Sequence, residues 1–268
     1  MNLSICSLAS GSSGNSYLVR SDSTALLVDA GISAKQIKER LGELGLEICD
    51  ISGILITHEH SDHIKGLGAL LKNNRIKIFA NKETLFKAGI DPLESDTFKF
   101  ESGDSFAVGD ITVTSFSVSH DADNPVGYYF EKNGCKISIV TDTGMVTDSV
   151  IKAMSHADIL VLESNHDENV LKMGRYPWFL KQRILGPKGH LSNEAASEAL
   201  SEVLKDEKLS GTLNPRMILL AHLSKENNFP EMAIMTMKNY LEEVGILLNR
   251  EVTVEALPRS ARSKSYFV

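Results

Sequence analysis

ILITHEHSDH, residues 54–63, decides how the rest of this chain is read. Ile54, Leu55 and Ile56 are apolar and mostly β-branched, the pattern of a strand buried on both faces. The chain then turns polar at Thr57 and supplies His58, His60, Asp62 and His63. Imidazole nitrogens and carboxylate oxygens are the donors that zinc, manganese and iron accept. An extended HxH followed by DH aims its side chains at two neighbouring positions, which suits two metals rather than one. A histidine-rich surface turn of no consequence is the alternative. A lone His or an HxH would favour that reading, but this cluster behind a buried strand does not.

Outward from this run, the same ending recurs. Strands expected at 111–118, 137–140, 159–162 and 217–220 run into His120, Asp142, Glu163 and His222. In layered α/β folds, strand ends are where a rigid scaffold aims loop side chains at one point. Upstream, residues 3–8 and 17–20 read as a hairpin across a Gly/Ser-rich turn. There, Ser12, Ser13, Asn15 and the backbone N–H groups are candidate phosphate contacts, against an ordinary hairpin turn as the even alternative. Residues 25–28 are a third strand, after which Ser33 caps a helix with Ile37, Leu41 and Leu44 on one face. Residues 64–72 read as a short helix and 77–80 as a strand. Residues 98–118 alternate like antiparallel strands, and 126–131 pairs with 136–140 across Asn133-Gly134. Thr147 caps a short helix. Helices at about 193–207 and 230–244, the latter opened by Pro230, supply apolar faces to cover sheets. This order predicts an α/β fold of two facing sheets flanked by helices. No linker, low-complexity tract or short repeat divides it, so one domain over 1–268 is expected.

A chain of 268 residues, 42% hydrophobic, can bury a core of that size. No uncharged apolar stretch approaches the roughly 20 residues that span a bilayer, and MNLSICSLASGSSG lacks the basic flank of a signal peptide, so a cytoplasmic protein without membrane contact is expected. Cys6, Cys49 and Cys135 are widely spaced and form no CxxC pair, which implies buried thiols rather than disulfides or a thiolate zinc site. The net charge of −7 argues against sequence-indifferent nucleic-acid binding by the surface as a whole. A polyanion must be held locally, and bound divalent ions would supply local positive charge.

His58, His60, Asp62 and His63 resemble the HxHxDH signature of the metallo-β-lactamase fold. Within that superfamily the chain is most similar to the YycJ/WalJ group of bacterial nucleases, through SLASGSSGNS at 7–16, THEHSDH at 57–63, TDTG at 141–144, ESNHD at 163–167 and GHLSNEAA at 189–196. The resemblance covers essentially the whole chain and implies a four-layer αββα sandwich. It also implies a 5′-to-3′ DNA exonuclease in which a metal-bridging hydroxide attacks phosphorus. Two divalent ions are implied, zinc or manganese with iron as the third candidate. His58, His60 and His120 would hold one, Asp62, His63 and His222 the other, and Asp142 would bridge them. An Asp rather than a thiolate in the second site disfavours a β-lactamase and suits phosphate oxygens. At Glu163 and His190 the chain looks like transfer-RNA 3′-processing endonucleases. Carried over, Glu163 orients His190, and His190 assists the leaving group, so that these two join Asp62 as catalytic residues. A helix-capping surface histidine is the plainer reading of His190. His166 and Asp167 read as supports of the site, and His156, within a helical stretch, as structural.

Between Asp167 and Gly189 lie Lys172, Arg175, Lys181, Arg183 and Lys188, interleaved with Tyr176, Phe179 and the sole tryptophan, Trp178. Charge for phosphates and rings for unpaired bases are what gripping a nucleic-acid strand requires, so Arg175, Trp178 and Lys181 are candidate contacts. A solvated loop with packed aromatics is the bland alternative. DNA is favoured over RNA as substrate, and the sequence leaves the oligomeric state open. Rival functions are a ribonuclease, a thioester hydrolase of the glyoxalase II kind, which needs neither the Glu163–His190 pair nor the basic segment, and a non-catalytic binding protein, which has no need of a full ligand set.

Overall fold

A computed structural model describes residues 3–72, 74–91 and 96–268. Among the described residues the strands belong to two mixed sheets of seven strands. The Cα positions cluster into two compact units, one made of 1–117, 122–135 and 258–268 and the other of 118–121 and 136–257.

The first unit begins with the expected hairpin, β1 (Ser4–Ala9) and β2 (Ser16–Arg20), followed by β3 (Ala25–Val28). Helix α1 (Ala34–Gly42) starts in a full capping box, Ser33 and Gln36 each satisfying the other's backbone, and buries Ile37 and Leu41. β4 (Gly53–Leu55) carries the deciding run. Next come α2 (Ser61–Ile64), α3 (Leu67–Leu71), β5 (Ile78–Ala80) and α4 (Lys82–Lys87). β6 (Thr97–Lys99), β7 (Ser105–Val108), β8 (Ile111–Ser117) and β9 (Val126–Lys132) follow. Ile37, Leu41, Ile54, Ile56, Leu67 and Ile78 share one buried cluster, so α1 and α3 cover one face of the sheet around β4. That packing holds the polar end of β4 rigid.

The second unit holds β10 (Cys135–Val140), α5 (Asp148–Met154), β11 (Ile159–Glu163), α6 (Glu168–Met173), α7 (Trp178–Leu185), α8 (Asn193–Ser210), β12 (Arg216–Ala221), α9 (Pro230–Glu243) and β13 (Val252–Ala256). β10, β11, β12 and β13 are parallel neighbours in register, Leu162 opposite Val140 and Glu163 opposite Ala221. The near-continuous apolar runs of β11 and β12 are those of strands covered on both faces, whereas β13 at the edge alternates. α8 runs from its Ser192 cap to a left-handed Gly211, and α9 opens on Pro230, as expected. The last strand, β14 (Tyr266–Phe267), belongs to the first unit, where it pairs with β1 as the edge strand and completes the order β14-β1-β2-β3-β4-β5-β6.

Several expectations are corrected. The helix after the ligand run begins at Ser61, so Asp62 and His63 sit on a helical turn and only His58 and His60 are extended. Lone β6 leaves the antiparallel run and pairs parallel with β5, because Phe98 packs on Phe79 with ring centroids 5.5 Å apart. Of the cysteines, Cys6 is buried, Cys135 is half-buried and Cys49 is exposed, on a 3₁₀ turn at Ile48–Asp50. His156 lies beyond α5 with a left-handed φ of 58°, and its N–H donates to Glu207 at 3.0 Å. Most of the basic segment is α6 and α7, with Arg175 between them and Lys188 after α7.

Candidate metal centre

In the first unit, the polar end of β4 is organised by Asp29, which follows β3 with a left-handed φ of 61°. Its carboxylate accepts from Thr57 N and Thr57 Oγ1, both at 2.8 Å, and from His63 Nδ1 at 2.7 Å. Burial pushes the Asp29 carboxyl up, and His63 and Thr57 oppose that shift. Since the Thr57 hydroxyl proton goes to Asp29, its oxygen is left to accept from His58 Nδ1 at 3.0 Å. His58 Nε2 and His60 Nδ1 then face each other at 3.2 Å. Behind them, Tyr128 on β9 donates to Ile56 O at 2.6 Å and Val126 N donates to Thr57 O.

Asn15 belongs to this cluster and not to the surface. It is fully buried, accepts from Gly11 N at 2.9 Å, and places its amide nitrogen 3.1 Å from His63 Nε2 and 3.4 Å from Asp62 Oδ2. Ser12 and Ser13, on the same turn, are exposed. The approach is tight because a Cβ on Gly31 would be driven into the carbonyl of Asp62.

In the second unit, His120, Asp142, Glu163, His190 and His222 gather at the ends of the parallel strands. Ligand atoms of Asp142, Glu163, His190 and His222 all lie within 4.8 Å of one another, a group able to hold a metal ion. Glu163, the fully buried last residue of β11, is the hub. Its Oε1 accepts from His190 Nδ1 at 2.8 Å and His222 Nδ1 at 2.9 Å, and its Oε2 accepts from Thr143 N at 2.8 Å and Leu191 N at 3.4 Å. Burial alone would push this carboxyl up, but the adjacent His190 charge and the imidazole hydrogen bonds outweigh it and hold Glu163 well below the usual range. Asp142 Oδ1 lies 3.4 Å from His222 Nδ1 and 3.8 Å from both His120 Nε2 and His190 Nδ1. Burial pulls the His120 imidazole down, so it sits neutral and able to ligate. Asp142 and His222 have left-handed φ values of 56° and 55°, a costly conformation for residues other than glycine that clusters at functional sites.

The donor chemistry fits divalent ions. His120 Nδ1 lies 3.1 Å from Gly189 O, which can only accept, so its proton is on Nδ1 and its lone pair on Nε2. The carboxylates of Asp29 and Glu163 fix the same tautomer on His63 and His222. Orientation of each ring through its other nitrogen is the arrangement that metal-ligating histidines show.

The remaining candidates are placed differently. Lys181 is buried, and its ammonium donates to the carbonyls of Lys172 and Gly174, both at 2.7 Å, tying α7 to the end of α6. Arg183 pairs with Asp121 at 2.5 Å and Lys172 with Glu168 at 2.6 Å. Arg175 and Lys188 are exposed, and so are Trp178 and Phe179, at 66% and 73%. Asp167 caps α6 through Val170 N. His166 is buried, and its imidazole is pulled down to about 4 by that burial. Asp29, which carries the same carboxylate-after-strand signal as Asp142, had no role read from the sequence. Nor had Asn165, whose amide donates to His222 O at 2.8 Å and secures that strained backbone.

Residues 24–210 match the model of the β-lactamase superfamily domain. An exodeoxyribonuclease YycJ of Bacillus anthracis is 45% identical over 91% of this chain and 91% of its own length. An exodeoxyribonuclease WalJ of Streptococcus pneumoniae is 42% identical over 89% of this chain and 88% of its own. Among solved structures, the metallo-β-lactamase fold protein YhfI from Bacillus subtilis superposes with a TM-score of 0.69 at 16% identity, covering 98% of this chain and 100% of that one. Sheets, ligand-type clusters and sequence thus agree: the chain belongs to the β-lactamase superfamily, in the metallo-β-lactamase-fold family of YycJ and WalJ.

Proposed function

We propose that this chain is a divalent-metal-dependent exodeoxyribonuclease that removes nucleotides from the 5′ end of DNA, working in the cytoplasm as one domain over 1–268. Its curated relatives are named for exodeoxyribonuclease activity, and the His/Asp clusters suit two divalent ions, zinc or manganese. His58, His60 and His120 would hold one ion, Asp62, His63 and His222 the other, and Asp142 would serve both. When bound, the ions supply Lewis acidity for the phosphate oxygens and acidify the attacking water.

The observation that carries the reading is the single oxygen of Glu163 shared by His190 and His222. Through His222 it orients a ligand. Through His190 it fixes a proton-carrying ring that remains 19% exposed, with Nδ1 committed to the carboxylate and Nε2 left to meet substrate. His190 Nε2 gives its proton to the departing sugar oxygen, and the ionised Glu163 steadies the imidazolium until then. A thioester hydrolase would leave this buried pair without a task. Arg175 and Trp178 contact the strand, and Lys181 supports them by bracing α7.

The test is incubation of the metal-loaded protein with manganese or zinc and end-labelled DNA and RNA, each with a 5′-phosphate or 5′-hydroxyl. Release of nucleotides from the 5′ end of DNA, with RNA left largely intact, is expected. Faster hydrolysis of RNA or of a glutathione thioester would overturn the reading.

A further inference from the structure

In a chain of net charge −7, residues 257–268 carry Arg259, Arg262 and Lys264 and no Asp or Glu. This segment is fixed to β1. Tyr266 and Phe267 pair with Ile5 and Ser4, Ser263 N donates to Ser7 O at 2.8 Å, and Ser7 N donates to the Ser263 hydroxyl at 3.0 Å. Between the segment and α1 lies a cavity of about 480 Å³ lined by Arg40, Arg262, Lys264, Ser260, Ser263 and one acid, Glu43.

The guanidinium groups are held in place. Arg40 donates to Leu8 O at 2.5 Å and Ser260 O at 2.6 Å, while Arg262 donates to Glu43 at 2.7 Å and Ser263 O at 2.9 Å. A guanidinium has five N–H donors in a rigid fork, so these bonds orient each group and leave further donors for an anion. The C-terminal segment also touches the turn behind the ligand run. Arg259 O accepts from Ser10 N at 3.2 Å, and a Cβ on Gly11 would stand 3.3 Å from the Arg259 Cβ. Gly11 is bonded in turn to Asn15, whose amide touches Asp62 and His63. Ser12 and Ser13 are the exposed residues of that turn.

We propose that the C-terminal segment and Arg40 form a phosphate-binding track, which takes the backbone of the nucleic-acid strand and leads it past the Ser12–Ser13 turn to the metal ligands. Several cations spaced along one extended segment suit the repeated phosphates of a strand better than a single anion. The inference rests on the nuclease reading and adds to it the surface that holds the substrate away from the reacting phosphate. It also gives an acidic protein a local group of cations for a polyanion.

The experiment compares the metal-loaded wild type with an Arg262→Gln/Lys264→Gln double variant and a charge-keeping Arg262→Lys/Lys264→Arg control, all checked for an unchanged melting temperature. Affinity for a long phosphorothioate-linked single strand and for a trinucleotide is measured across a salt series, with cleavage of the ordinary oligonucleotides in parallel. Each lost phosphate contact removes about 0.7 from the slope of log affinity against log salt on single strands, so the Gln variant should bind the long strand about tenfold more weakly with a slope shallower by about 1.4. The trinucleotide, too short to reach the track, should show neither change, and the control should keep the wild-type slope. If the wild type cuts both oligonucleotides and the Gln variant matches it in affinity and slope, the track is refuted while the nuclease reading stands. If the wild type neither binds nor cuts nucleic acid, the nuclease reading fails and the track falls with it.

Discussion

Glu163→Gln preserves the shape of a fully buried side chain and changes only what it can accept. All four partners of the carboxylate are donors, His190 and His222 on Oε1 and the Thr143 and Leu191 amides on Oε2. A glutamine has one oxygen. If that oxygen keeps the two amides, its NH₂ faces both imidazoles. Each must then turn Nδ1 into an acceptor and carry its proton on Nε2, which on His222 is the nitrogen needed for a metal. If the oxygen keeps the imidazoles instead, the NH₂ meets two backbone N–H groups and the end of β11 must move. Either way the charge on the hydrogen bonds is lost, and such bonds contribute about 1.5–3 kcal/mol each. Partial relaxation leaves an expected cost of about 1.4–2.7 kcal/mol, which corresponds to the 10- to 100-fold loss of metal affinity typical when a ligand's supporting partner is removed. Turnover at saturating metal should fall by about 10²-fold, because His190 stays in place with the wrong protonation. Competitive chelation followed by rate measurements at saturating manganese or zinc separates the two effects. A Glu163→Gln protein with wild-type metal affinity would refute the shared-oxygen argument even if its rate were reduced.

Other substitutions test neighbouring parts of the site. His190→Ala should keep its metals, measured by metal analysis, and turn over on the order of 10²–10⁴-fold more slowly, whereas wild-type rates would demote His190 to a structural residue. Asp142→Ala and His60→Ala should lose bound metal and nearly all hydrolysis together, and stripping wild-type protein with a chelator should reproduce the effect reversibly. Gly31→Ala should displace α2 and with it Asp62 and His63, visible as lost metal affinity with secondary structure retained. His166 should make stability fall in acid: the unfolded ring takes its proton near 6.5, the buried ring only near about 4, so full stability above 6.5 is lost progressively between those values. The loss should reach about 3 kcal/mol. Urea unfolding of His166→Gln should show a flatter pH dependence over that window than wild type.

Much of the fold was legible because its strands are short apolar runs that stop at chemistry. β4, β10, β11 and β12 each change from aliphatic to polar within one or two residues, and the start signals at Ser33, Thr147 and Pro230 place helices where they are found. The misreadings arose where local pattern and tertiary partner disagree. The helix expected from residue 64 begins at Ser61, where Gly31 and Gly66 admit the backbone of Asp62 and Ile32 so closely that a helical turn forms there. β6 alternates like an antiparallel strand, but its register is set by the aromatic contact of Phe98 with Phe79 on β5. No local rule contains that partner.

Side chains that act on the ligands from behind were harder to find than the ligands themselves. A ligand announces itself by type, since histidines crowded behind a strand have few other reasons to be there. The groups that fix those histidines are ordinary: Thr57, Asn15 and Asn165, and a backbone carbonyl at Gly189. Their significance is geometric, because each commits one atom of a ligand residue, by tautomer or by backbone position, and so determines what the other atoms can do. The same logic reverses the reading of Lys181. Its charge and neighbours suggest phosphate, but three ammonium donors pointed at two carbonyls in a buried place serve to brace α7. Burial therefore takes Lys181 away from a strand, while Arg175 and Lys188 stay exposed in the same segment.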